Sequence, residues 1–302
     1  MNRTTIIIGL LVIILVAYAC YFGYDIYKHK DEFENDTSWW KTGIIGAIVN
    51  FFDPLGIGAF APQTALLKFT KQTRDKQIPG TMNVSNTIPV LIQALIFTTV
   101  VKVEVVTLVG MLIASMLGAI LGAGIVSKMS EKKIRLVMGF ALACTACIML
   151  SSLLGLFPIG GTSIGLVGGK LVLACIVNFI LGALMTAGVG LYNPCMVLVY
   201  LLGMSPDVAF PIMMCSCAFL MPPASVKFIK EGAYNRKSAL SMAIFGSVAT
   251  LIASLLIKSL PLDVLKWIVV GVSVYTSSVM LRAGFSKAQV RSNNSSVVEA
   301  TK

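Results

Sequence analysis

Charge is scarce in this sequence and histidine nearly absent. Of 302 residues only 12% are Asp, Glu, Lys or Arg, 13 are acidic, and His29 is the single histidine. A lone His29 in a charged loop completes no Ser, His and Asp set, and the chain has no HExxH and no Walker signature. These absences leave an enzyme reading with little to stand on and exclude nucleotide hydrolysis by the chain itself. The seven cysteines (Cys20, Cys144, Cys147, Cys175, Cys195, Cys215 and Cys217) are spread through apolar stretches, as small buried hydrophobes rather than a disulfide framework. Cys144 and Cys147 could face one another across a helical turn, but zinc needs further ligands that the sequence does not place nearby. No metal or cofactor is implied.

What the chain has instead is apolar length. Hydrophobic residues make up 57% and the mean hydropathy is +0.87, far from a soluble domain. Runs able to cross a bilayer core, about 20 residues each, cover 5–22, 80–101, 105–126, 134–157, 208–229, 239–257 and 264–283. Two longer runs, 42–69 and 171–203, are interrupted by glycines and a proline. The reading is an all-α, multi-pass protein of the cell membrane with the lipid bilayer as its surroundings. The net charge of +11 comes from Lys and Arg in short loops, where the positive-inside rule accounts for it, so nucleic acid is not an expected partner. A homo-oligomer is compatible with the sequence.

At the N-terminus, "MNRTTIIIGLLVIILVAYAC" resembles a signal peptide with a cleavage site at Ala17-Tyr18-Ala19. Its apolar stretch is long for that, so a retained first helix is the preferred reading. Trp39 and Trp40 in "DIYKHKDEFENDTSWWK" are placed as interfacial anchors.

The two interruptions share one grammar: "GIGAFAP" (56–62) and "GVGLYNP" (188–194). Sliding the chain by 132 residues puts Gly56 on Gly188, Gly58 on Gly190, Phe60 on Tyr192, Pro62 on Pro194 and Pro79 on Pro211 without a gap. The expected division is an N-terminal helix and charged loop (1–37), two repeats (38–157 and 158–284) and a polar cytoplasmic tail (285–302). The basic loops are 68–76, 127–135 and 227–237, with the tail. The loops poor in Lys and Arg are 101–104, 158–169, 203–207 and 258–263. All the basic ones fall on one side only if each interrupted segment enters the membrane and returns to its own side. A returning pair plus three spans then inverts the second repeat, the arrangement of many secondary transporters.

Within each break the glycines allow tight turning and close approach to the main chain. Proline suits the first turn of a new helix, so Pro62 and Pro194 are expected to open half-helices. The unpaired N–H groups there, at the positive end of the helix dipole, favour an anion. Phe60 and Tyr192 could wall such a site, with Gln63, Asn193 and the Tyr192 hydroxyl adding polar contacts. Asn83, Ser85, Asn86 and Ser216 are polar groups in the following spans, either lining the site or bonding helix to helix. Pro89, Pro222 and Pro223 could kink their helices. The plainer reading of the breaks themselves is a pair of packing kinks. Asp53, in "NFFDPLG", is a candidate carrier of a coupling proton or cation, or else it sits in a wet vestibule or caps a helix; its mate is Met185. Lys68 reads as snorkelling to the cytoplasmic surface.

With "GIGAFAPQTALL" and "IPGTMNVSN" in the first half and "GVGLYNPCMVLVYLLGMSPDVAFP" and "MMCSCA" in the second, the chain after residue 38 resembles the sulfite exporter TauE/SafE family. Ala59 and Leu191 stand where a third glycine often occurs in that family. The resemblance implies a permease for a small anion such as sulfite, an organosulfonate or a related acid. On that basis the substrate-binding residues are expected among Gly56, Gly58, Phe60, Pro62, Gln63, Asn83, Ser85, Gly188, Gly190, Tyr192, Asn193, Pro194 and Ser216. Export is expected, since an inside-negative potential favours outward anion movement by about 2.3 kcal/mol per charge at 100 mV. An anion channel and a partner-binding membrane assembly protein are the rival readings.

Overall fold

The computed structural model describes residues 3–55, 58–97, 103–156, 161–188, 190–256 and 262–285. Among them are eleven α-helices and no strand. They are α1 (Arg3–Lys28), α2 (Trp39–Phe52), α3 (Phe60–Thr70), α4 (Ile78–Phe97), α5 (Val105–Val126), α6 (Glu131–Leu153), α7 (Gly169–Met185), α8 (Tyr192–Leu201), α9 (Pro206–Lys230), α10 (Arg236–Leu256) and α11 (Leu262–Phe285). Five helices are long and apolar enough to cross a membrane: α1, α5, α6, α9 and α10. Their outward faces carry exposed Ile, Leu and Val, among them Ile13, Ile113, Leu121 and Leu255. Such a surface is stable against lipid tails and not against water.

Element order repeats with the motif. Adding 132 to the bounds of α3, 60 and 70, gives 192 and 202, against 192 and 201 for α8; the bounds of α6, 131 and 153, give 263 and 285, against 262 and 285 for α11. Packing repeats too. Helix α2 lies on α10 as α7 lies on α5, and α4 and α9, which are mates, cross each other. Glycines let these helices approach: Gly46 and Gly246 in the first interface, Gly118, Gly122 and Gly182 in the second. Of these five spans α9 is the most enclosed, with 78% of its apolar stretch buried, whereas α1 has 17% and sits at the edge. Both central helices run unbroken through prolines, α4 through Pro89 and α9 through Pro211, Pro222 and Pro223. Neighbouring helices make such prolines tolerable inside a membrane bundle.

The interrupted segments close on themselves. Ser38 N–H donates to Gln72 Oε1 at 2.7 Å and the Thr37 hydroxyl donates to Gln72 O at 2.9 Å, so the chain enters α2 and leaves α3 at one place. In the second pair, Gly161 N–H donates to Met204 O at 2.9 Å and Ser205 N–H donates to Ser163 O at 2.8 Å, pinning the entry of α7 to the exit of α8.

The loops sort into two faces. At one, Arg135 pairs with Asp75 at 2.6 Å, Lys128 with Glu231 at 3.7 Å, and Asn235 donates to the Thr37 hydroxyl at 2.9 Å. That gathers the basic loops 68–76, 127–135 and 227–237. At the other, Glu104 N–H donates to Ile164 O at 3.0 Å and Leu166 N–H to the Thr107 hydroxyl at 2.7 Å, gathering residues 103–107 and 161–166 with 203–205. The C-terminal end of α1 sits at the basic face, where Asp25 pairs with Arg236 at 3.2 Å. The helix is built into the bundle, its Tyr18 hydroxyl donating to Val84 O at 3.0 Å. Lys68 reaches Asp75 at that same face. The tail, 286–302, lies outside the described residues.

Candidate functional site

The N-termini of α3 and α8 meet at one cavity. Asp53, Gly58, Ala59 and Phe60 line it from the first break, Met185, Gly190, Leu191 and Tyr192 from the second, with Asn86 and Val90 of α4 and Cys217 of α9. The four residues from each break are mates at the 132 offset. The space between them is about 10 Å³, room for roughly one water.

Each helix opens two residues before its proline, so Pro62 and Pro194 occupy the third helical position rather than the first. They still fall in the first turn, where a missing N–H costs nothing. Gln63 N–H closes the first helical bond on Ala59 O and Cys195 N–H on Leu191 O, both at 3.0 Å. The amides of Phe60 and Ala61 in α3, and of Tyr192 and Asn193 in α8, therefore have no acceptor within their helices. Gly58 (φ 82°) and Gly188 (φ 101°) take the left-handed backbone that a side chain would strain. Gly190 does not, and a Cβ added to it, as to Gly58, would meet nothing within 4 Å. These two glycines hold open the space in front of the helix ends. Gly56 lies outside the described residues, as does the Asn193 side chain.

The two helix ends are not equally free. Asp53 Oδ1 accepts from Ala59 N–H at 2.6 Å, so a carboxylate that is 4% exposed caps α3. At α8 the equivalent position is Met185, and Leu191 gives no side-chain cap. Among the described lining residues none is Lys, Arg or His.

The remaining polar residues sit behind the cavity wall. Asn50 donates to Asn86 Oδ1 at 3.1 Å, Asn86 donates to Gln63 Oε1, and Gln63 donates to the Ser85 hydroxyl at 3.1 Å, a chain linking α2, α3 and α4. Through it Gln63 and Ser85 position Asn86, which does face the cavity. Asn83 Nδ2 bonds Pro79 O at 2.8 Å, and the Ser216 hydroxyl accepts from Asn178 at 3.3 Å; neither lines the cavity. The Tyr192 hydroxyl donates to Gln93 Oε1 at 2.7 Å, and Gln93 Nε2 is buried without a partner among the described residues. Sequence reasoning passed over Gln93, Val90, Met185 and Cys217 as site residues. Asn86, Val90 and Gln93 share one helical face by their spacing, a signal readable only once Asn86 is known to point at the breaks. Among the described residues no group of His, Cys, Asp and Glu could hold a metal ion.

No curated protein and no solved structure matches this chain. A family model described as "Sulfite exporter TauE/SafE" matches residues 2–149 and 170–300, two blocks that separate the breaks and take in α1, which the resemblance noted above left out. With nearly its whole length covered, and with apolar helices built around two paired breaks, the chain belongs to the sulfite exporter TauE/SafE family and is a multi-pass membrane transporter, not an enzyme.

Proposed function

We propose that this chain is a secondary transporter of the cell membrane that exports a small anion, sulfite, an organosulfonate or a related acid, by alternating access. The observation that carries the reading is the meeting of two half-helix N-termini, 132 residues apart in sequence, at one buried cavity. Backbone amides at helix ends bind oxyanions without a full positive charge, which suits a carrier that must also release its cargo. The closure of α2–α3 on the basic face and of α7–α8 on the other supports an inverted pair of repeats, 38–157 and 158–284, with the basic face cytoplasmic. Export rests on the family's description. A carrier is favoured over an open channel by the narrowness of the cavity, since about 10 Å³ admits an anion only when the helices move.

The test is flux into proteoliposomes across sulfite, sulfoacetate, taurine and simple carboxylates, with Gly190→Leu alongside. Residue 190 has no left-handed backbone and its Cβ would meet nothing within 4 Å, so the leucine is accepted by the main chain and its side chain overfills the cavity. Saturable flux in the wild type that drops to the protein-free level in correctly inserted Gly190→Leu is expected. Wild-type rates in the variant would remove this cavity from the transport path.

A further inference from the structure

Asp53 breaks the symmetry of the site, and its position has a chemical consequence that rests on the transport reading above. In the structure its carboxylate occupies the end of α3, bonded to Ala59 N–H at 2.6 Å and almost wholly buried. An incoming anion seeks the amides beside it, those of Phe60 and Ala61 at the start of α3. Among the described residues that line the cavity there is no cation to hold two negative charges. Two such charges about 4 Å apart, at an effective dielectric near 20, disfavour one another by of the order of a thousandfold. The geometry points to Asp53 as a proton carrier: the anion binds when Asp53 takes up a proton and yields the end of α3, and on release the proton leaves and the carboxylate caps the helix again.

Charge then balances through the cycle. The empty site holds the Asp53 carboxylate; the loaded site holds one monoanion and a neutral Asp53. Each turnover moves one anion with one proton, the equivalent of the neutral acid, and membrane potential drops out of the driving force. Direction is set by the anion and proton gradients together. The other ionisable groups facing Asp53 are the Tyr192 phenol from α8 and the Cys217 thiol from α9. The elements packed around it add none at this depth: α2 has only Lys41, α3 only Lys68, which is tied to Asp75, α4 none, and α10 only Arg236 and Lys237, at the basic face.

Methanesulfonate and bisulfite are the probes, in proteoliposomes whose potential is clamped by potassium and valinomycin and whose internal pH is followed by a trapped dye. For the wild type, a tenfold proton gradient at zero potential should drive about tenfold anion accumulation on the alkaline side, and a tenfold potassium gradient at equal pH should drive none. Asp53→Asn should reverse this, following potential and ignoring pH. Wild-type flux that follows potential without proton movement overturns the proposal whatever the variant does, as does Asp53→Asn that moves protons like the wild type. If the wild type moves neither anion the transport reading itself fails; if it moves one without a proton, only the coupling fails.

Discussion

Replacing Gly118 by alanine tests a backbone-to-backbone contact between α5 and α7. A Cβ there would stand 1.9 Å from Phe179 O and 2.8 Å from the Phe179 carbonyl carbon, both main-chain atoms of α7 with no rotamer to move aside. To regain ordinary contact the two helices must part by roughly 1.5 Å, and a gap of about 0.5–1 Å already forfeits a quarter to a half of a contact's energy. Pivoting is blocked as well, because Gly182 and Gly122 hold the same interface at backbone distance, with Ser115 O at 2.1 Å and Ala183 O at 2.6 Å from their missing Cβ positions. Overpacking costs about 1–3 kcal/mol, and an interface with no side-chain slack belongs at the upper end, about 3 kcal/mol. At roughly 2–4 °C per kcal/mol for a chain of this size, the melting temperature in nanodiscs should fall by about 6–12 °C. Gly271→Ala is the control: its Cβ meets nothing within 4 Å, so the melting temperature should hold or rise slightly. A Gly118→Ala protein that melts with the wild type would refute the backbone-to-backbone contact of α5 and α7.

Two further outcomes follow from the polar ends of the bundle. Asp75 is 6% exposed and holds both Lys68 and Arg135, so Asp75→Asn removes the negative charge between two cations, of which Arg135 keeps Glu131, and should cost about 3 kcal/mol, read as a lower melting temperature that added salt partly restores; an unchanged melt would show that the cluster is merely decorative. At the opposite face, the hydroxyl and then the amide of Thr107 hold the Glu104 carboxyl below its ordinary range. A carboxyl depressed in the folded state stabilises above its unfolded pKa and loses that effect as pH falls through the folded value, so the start of α5 should fray in acid, below about pH 4.3. Amide exchange at residues 104–108, corrected for intrinsic rates, should accelerate there in the wild type and show no such step in Glu104→Gln; equal profiles would contradict the cap.

The breaks and their pairing were legible because glycine and proline act locally, and the same local rules apply at 56–62 and 188–194. Loop charge was legible for a similar reason: the three basic loops expected together are brought together by Asp75, Glu231 and Asn235. The polar lining was not. Helix α4 is enclosed on nearly every side, so it has no apolar stripe to tell which of Asn83, Ser85 and Asn86 faces the cavity. Each step along a helix turns the side chain by about 100°, and that turn separates Asn86, at the wall, from Ser85, behind it. The capping role of Asp53 was one of three readings open in the sequence, and only the bond to Ala59 shows that the carboxylate occupies the helix end. Tyr18, within the stretch that resembles a cleavage site, is 3% exposed and tied to α4.

The partner of α2 is α10, and they are far apart in the order of synthesis. Helix α2 ends at Phe52, and α10 begins at Arg236. At about 5–20 residues per second the ribosome needs roughly 10 to 40 s to bridge that interval. Throughout it the first hairpin lacks the surface that Gly46 is shaped to meet, with Asn50 and Gln63 awaiting part of their enclosure. The second hairpin finds its main partner in place, since α5 is already made when α7 emerges, and only α9, the next helix, is still to come. Biogenesis is therefore lopsided in a molecule whose finished architecture is nearly even-handed: one half matures as it is inserted, and the other must be held open in the bilayer until the last helices arrive.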